Sequence, residues 1–121
     1  PDLGRTLGEE LLTPTRIYVK SLLACLAGGH TLKGIVHITG GGFHENIPRI
    51  LPSGTSAILR RGSYEVPSIF RIIQELGAVD DREMYTTFNM GIGLMIVVAP
   101  DGADRAIKTL TDEGETPRRI G

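Results

Sequence analysis

Residues 37–46 read His-Ile-Thr-Gly-Gly-Gly-Phe-His-Glu-Asn, and this run holds most of the chemistry-bearing groups that stand together in the chain. Gly40, Gly41 and Gly42 lack a Cβ, so the backbone there can bend sharply and approach a ligand closely. A helix-like segment follows, and helix starts offer unpaired N–H groups and a partial positive charge that suit an anion such as phosphate. The same run also reads as a plain glycine-rich connection between a strand and a helix. The polar neighbours His37, Thr39 and Asn46 favour a site. His37 alternates with Ile35 and Thr39, so the three share one face of a strand. A strand histidine is commonly structural. One that stands two residues ahead of a glycine run is also placed to bind a ligand or handle a proton. His44 reads as exposed and His30 as a turn residue.

A second constellation is Phe88-Asn89-Met90-Gly91-Ile92-Gly93. Its plain reading is a tight helix-to-strand turn in which Asn89 tolerates a left-handed conformation. Its functional reading is close backbone approach by the glycines at the mouth of a strand. The two runs together form two glycine-rich strand ends that could face one cleft. Other constellations are missing. There is no P-loop, no Gly-x-Gly-x-x-Gly fingerprint after a strand and no Gly-x-Ser-x-Gly elbow. The three histidines and the lone Cys25 match no zinc pattern, so no metal ligands are expected in this chain.

The elements that must position these residues follow from periodicity. Residues 1–14 are polar and glycine-punctuated and read as an N-terminal arm or linker, with a domain over 15–121. Residues 15–18 read as a short extended segment. Apolar residues at 19, 22, 23 and 26 predict a helix ended by Gly28-Gly29. Residues 34–39 read as a strand, and residues 43–51 as short, irregular helical turns limited by Pro48. Residues 56–60 are a candidate strand. Pro67 opens a helix with Ile69, Ile72, Ile73 and Leu76 on one face and Gly77 at its end. Asp80 and Glu83 predict the start of a short helix through Phe88. Residues 91–98 are apolar on both alternating faces, as in a central strand covered on both sides. Asp101 is expected to cap a last helix ended by Gly114, and residues 118–121 read as a final short strand. This order predicts an α+β fold, a layered α/β/α domain with helices packed on a mixed sheet.

Composition sets wider bounds. A chain of 121 residues is the size of one domain and buries roughly two-thirds of the surface its unfolded form exposes. The 13 basic and 14 acidic side chains, a net charge of −1, argue against non-specific nucleic-acid binding, which relies on clustered positive charge. Cys25 lies in an apolar run and reads as a buried thiol; a single cysteine forms no intrachain disulfide. No apolar stretch reaches the ~20 residues of a membrane span and no signal peptide is visible, so the expectation is a soluble, cytoplasmic protein without a membrane partner. The chain begins at Pro1 rather than Met, which reads as a cut, a processed product or part of a larger protein.

Residues 37–52, His-Ile-Thr-Gly-Gly-Gly-Phe-His-Glu-Asn-Ile-Pro-Arg-Ile-Leu-Pro, resemble the signature of the aminoimidazole ribonucleotide synthetases, the phosphoribosylformylglycinamidine cyclo-ligases of purine biosynthesis. Residues 4–19, 66–70 and 83–93 match the same family in the same order, so the resemblance spans nearly the whole chain. It implies an ATP-dependent ring closure. ATP activates the formyl amide oxygen of formylglycinamidine ribonucleotide, and an amidine nitrogen closes the imidazole ring with release of ADP and phosphate. It also implies Mg2+ at the ATP phosphates, a homodimeric full-length enzyme, and an N-terminal half that supplies much of the ATP site. Only the family's C-terminal half is matched, and its opening Gly-Leu-His-Ser-Asn-Gly segment is missing, so the domain is expected to be incomplete at its N-terminal side. Carried over by the resemblance, His37 is the catalytic candidate and Thr39 faces the cleft with it. Gly40, Gly41 and Gly42 hold a phosphate, Asn46 supports their loop, and Asn89, Gly91 and Gly93 line the second edge. Many relatives carry Cys where this chain has Met90, which reads here as structural. Alternatives are a non-catalytic phosphate-ligand-binding or assembly module, and a sister enzyme such as selenophosphate synthetase or thiamine monophosphate kinase. The order of the two glycine runs disfavours the sister enzymes.

Overall fold

A computed structural model describes residues 3–121; the first two residues of the expected arm, Pro1 among them, lie outside the described residues. Its elements are α1 (Leu7–Leu11), α2 (Val19–Ala27), β1 (Gly34–His37), α3 (Gly42–Asn46), α4 (Ser68–Gly77), α5 (Asp81–Thr87), β2 (Leu94–Val97) and α6 (Ala103–Asp112). Short 3-10 turns over Ile47–Ile50 and Pro100–Gly102 extend α3 and lead into α6.

Local chemistry accounts for most boundaries. Pro67 precedes α4, and Ala78 ends it in the left-handed region. The Asp80 carboxylate accepts from the Arg82 N–H and starts α5, as its spacing predicts. Pro48 falls inside the 3-10 turn after α3, where its missing N–H costs no helical bond. Asp101 makes no cap; it sits inside the 3-10 turn, and Gly102 is the residue ahead of α6. Helix α1 forms within the stretch read as an arm. Thr6 and Glu9 bond reciprocally, Thr6 N–H to the Glu9 carboxylate at 2.8 Å and Glu9 N–H to Thr6 Oγ1 at 3.3 Å.

The fold is α+β. β1 and β2 pair antiparallel with Gly34 opposite Val97 and His37 opposite Leu94. Both strands are shorter than the expected 34–39 and 91–98 because the flanking glycine runs turn the chain away. β2 pairs on one edge only among the described residues, and all four of its residues are half-buried rather than enclosed. Segments 56–60 and 118–121 form no ladder; one bond, Arg60 N–H to the Ile120 carbonyl at 2.7 Å, joins them. Val36, Ile38, Phe43 and Ile47 form the core, with Leu59, Tyr85 and Met95 packed around them. Helices α2 and α6 pack together separately. His30 and Thr109 bond across them at 2.8 Å, and burial pushes the enclosed Cys25 thiol above its ordinary pKa. Among the described residues no helix is long and apolar enough to cross a membrane.

Candidate functional site

β1 sorts its side chains by alternation. Val36 and Ile38 point into the core, whereas Ile35, His37 and Thr39 are exposed together on the other face. The strand ends are tied directly: Ile38 N–H donates to the Gly93 carbonyl at 2.8 Å, so the two glycine runs leave the sheet side by side.

The first run is a loop held from within. Asn46 is 3% exposed and its Nδ2 lies 3.2 Å from the carbonyl of Thr39, 3.2 Å from that of Gly40 and 2.8 Å from that of Gly42. Its Oδ1 accepts from the Thr39 hydroxyl at 3.3 Å and from Arg49 at 3.4 Å. One buried amide therefore satisfies most of the loop's inward carbonyls, which would be costly to leave unpaired. Gly41 and Gly42 take positive φ, 92° and 54°. A Cβ on Gly42 would collide with the Tyr85 carbonyl and stand 2.9 Å from that of Phe88, so this glycine lets α3 press against α5. The Gly42 N–H donates to Thr39 at 3.1 Å, while those of Gly40 and Gly41 have no partner among the described residues.

The second run is held by its neighbours. Asn89 Oδ1 accepts from the Gly91 N–H at 2.9 Å, and the Asn89 carbonyl accepts from Ile92 at 3.0 Å. The left-handed residues are Met90 (φ 52°) and Gly91 (φ 93°), not Asn89; Met90 is buried, in keeping with a structural role. A Cβ at Gly91 would approach Pro67 Cγ to 2.8 Å, and one at Gly93 would meet the Tyr18 hydroxyl, with Tyr18 Cζ at 3.1 Å.

Tyr18 belongs to a wall that residue spacing in the two runs did not indicate. Its ring meets the His37 ring edge-on with centroids 6.3 Å apart. Burial first, and the Glu115 charge second, hold its hydroxyl above the ordinary tyrosine pKa. Two residues earlier, Arg16 is anchored to the far end of the chain: Nε lies 3.0 Å from the Glu115 carboxylate and Nη2 donates to the Gly114 carbonyl at 2.8 Å. Ser21 holds the other Glu115 oxygen at 2.6 Å.

These walls enclose a cleft of about 560 Å3. It brings together His37, Thr39, Gly40, Asn89, Gly91 and Gly93 from the strand ends, with Glu10, Thr13, Arg16 and Tyr18 from the N-terminal stretch. Gly41, Gly42 and Asn46 do not line it; Asn46 and Gly42 lie beneath, shaping the loop that does. Such a volume suits a small-molecule ligand. A separate cavity of about 470 Å3, walled by Phe43, Ile47, Leu59, Tyr64 and Tyr85, includes none of the candidate catalytic or phosphate-binding residues. Among the described residues, no group of three or more His, Cys, Asp or Glu is placed to hold a metal ion.

Comparison with known proteins bears on this geometry. Residues 1–121 match the family model described as AIR synthase related protein, C-terminal domain. The chain is 54% identical over 121 residues to a phosphoribosylformylglycinamidine cyclo-ligase of Caldanaerobacter subterraneus subsp. tengcongensis, a match covering 100% of this chain and 35% of that protein. It is 57% identical over 112 residues to one of Caldicellulosiruptor bescii, covering 93% of this chain and 33% of the relative. To one of Lachnospira eligens it is 50% identical over 119 residues, covering 98% and 35%. The chain thus spans about a third of the length of the curated relatives it matches.

Proposed function

Because the chain belongs to the AIR synthase related family, as its C-terminal domain, we propose that it is the C-terminal part of the ATP-dependent ligase that closes formylglycinamidine ribonucleotide to aminoimidazole ribonucleotide. The observation that carries this reading is the cleft, in which both glycine-rich strand ends of the family resemblance lie on one surface. His37, exposed on β1, is the catalytic residue, a proton carrier or orienting group for the closing ring. The free N–H group of Gly40 at the cleft surface holds a ligand phosphate, and Gly41 shapes the loop that presents it. Asn46 and Gly42 fix that loop, Thr39 braces it through Asn46, and Asn89, Gly91 and Gly93 form the opposite edge. Positioning and charge stabilisation are what such a ring closure demands of a protein.

The rest of the site is supplied by the polypeptide that makes up the other two-thirds of the relatives. ATP is a substrate bound mainly there. Mg2+ would accompany the ATP phosphates and would likewise be held mainly there. Residues 1–14 are an arm or linker in this reading, and that polypeptide completes the domain over 15–121 at its N-terminal side. The single paired edge of β2 supports a layered mixed sheet extended by a further strand. The whole enzyme is a cytoplasmic homodimer in this reading.

Reconstitution tests it. Combined with the N-terminal two-thirds of the Caldanaerobacter relative, the chain should support ADP release dependent on formylglycinamidine ribonucleotide. His37→Ala should lower that turnover at least about 100-fold. Turnover equal to the unchanged protein removes His37 from the mechanism. A second reading, favoured by the one-third coverage, is a non-catalytic module that binds a phosphate-bearing ligand or a partner half. Calorimetric binding without turnover in the reconstituted protein selects it.

A further inference from the structure

We propose that Arg16 is a ligand-binding residue of the cleft, the counter-charge for the anionic group seated at the first glycine run. This rests on the phosphate reading of that cleft. Arg16 is the one Lys or Arg among the described residues that line it. Its guanidinium is held along a single edge, by Glu115 on Nε and the Gly114 carbonyl on Nη2. Of its five N–H donors, both on Nη1 and one on Nη2 have no partner among the described residues. A guanidinium fixed on one edge keeps a second edge free to meet two oxygens at once, the geometry that suits phosphate or carboxylate. The anchor is itself built: Glu115 is clamped by Ser21, whose hydroxyl donates at 2.6 Å from α2. Tyr18, two residues on, packs over Gly93 and beside His37, so the backbone that carries Arg16 is pinned at the cleft wall. The ligand class is a phosphomonoester of a small polyol or sugar. Its phosphate spans Gly40 and Arg16, and its hydroxyls meet the polar groups of His37 and Asn89.

Titration calorimetry with ribose 5-phosphate at low salt tests this. Arg16→Gln should weaken binding at least about 10-fold, and Arg16→Lys about threefold, because Lys keeps the charge and loses the fork. Glu115→Gln, which removes the anchor and keeps the guanidinium, should cost less than about threefold. Equal losses in Arg16→Gln and Glu115→Gln mean that the pair only clamps the fold, and overturn the proposal. So does binding by Arg16→Gln within twofold of the unchanged chain. If Arg16→Gln does not fold by circular dichroism, Arg16→Lys decides: unchanged affinity there overturns the proposal. No binding by the unchanged chain overturns the phosphate reading as well, whereas binding that ignores Arg16 overturns this inference alone.

Discussion

The two glycine-rich strand ends look alike in sequence and are built in opposite ways. The first is self-contained: Asn46, seven residues after Thr39, reaches back and holds three carbonyls of the loop. The second depends on distant partners. Gly91 gives way to Pro67 and Gly93 to Tyr18, a residue brought from the other end of the chain. Glycine therefore means three things here. At Gly42 it permits helix packing, at Gly91 and Gly93 it admits another residue's side chain, and at Gly40 it leaves open space. Only the last suits a ligand directly.

Substitutions separate the roles of these glycines. The largest effect is expected at Gly42→Ala, where positive φ and a backbone carbonyl both oppose a Cβ. Denaturant unfolding should show a loss of about 3 kcal/mol or more, since backbone cannot swing aside as a side chain can. Asn46→Ala should cost about 2 kcal/mol in the same assay by stranding buried carbonyls. Asn46→Asp should be no better, because a carboxylate would face the three carbonyls without a hydrogen to donate. Gly93→Ala should cost about 1–2 kcal/mol, less than Gly42→Ala, because the Tyr18 ring can shift. Combining it with Tyr18→Phe should recover part of that loss, and additive losses would show that the two residues do not compete for one space. Gly40→Ala is the sharpest contrast. Nothing stands within 4 Å of its Cβ, so stability should change by less than about 0.5 kcal/mol while ribose 5-phosphate affinity falls.

Much of this organisation was legible in the residues. The Pro67 start and the Asp80 cap act locally, within a turn or two of chain, and helices form where they predict, although of the apolar face after Pro67 only Ile69 is buried and Leu76 stands exposed. Helix α1 had a readable signal as well, since Thr6 and Glu9 have capping-box spacing, but the polar composition around them reads as a linker. The Arg16 wall had no local signal. Its anchor is 98 residues away at Gly114, and periodicity carries no information across such a separation. The strands over 56–60 and 118–121 failed for the converse reason. Their composition suits a strand, yet a ladder needs a partner in register, and a single Arg60–Ile120 bond does not supply one.

Both strand ends line one cleft, which in the proposed function takes a single phosphate-bearing ligand, and amide NMR reads the two ends together. Ribose 5-phosphate titrated into the 15N-labelled chain should shift the amides of Gly40 and Gly93 along a single saturation curve. Shifts at one run with the other unmoved, or two curves with different midpoints, would contradict a shared site.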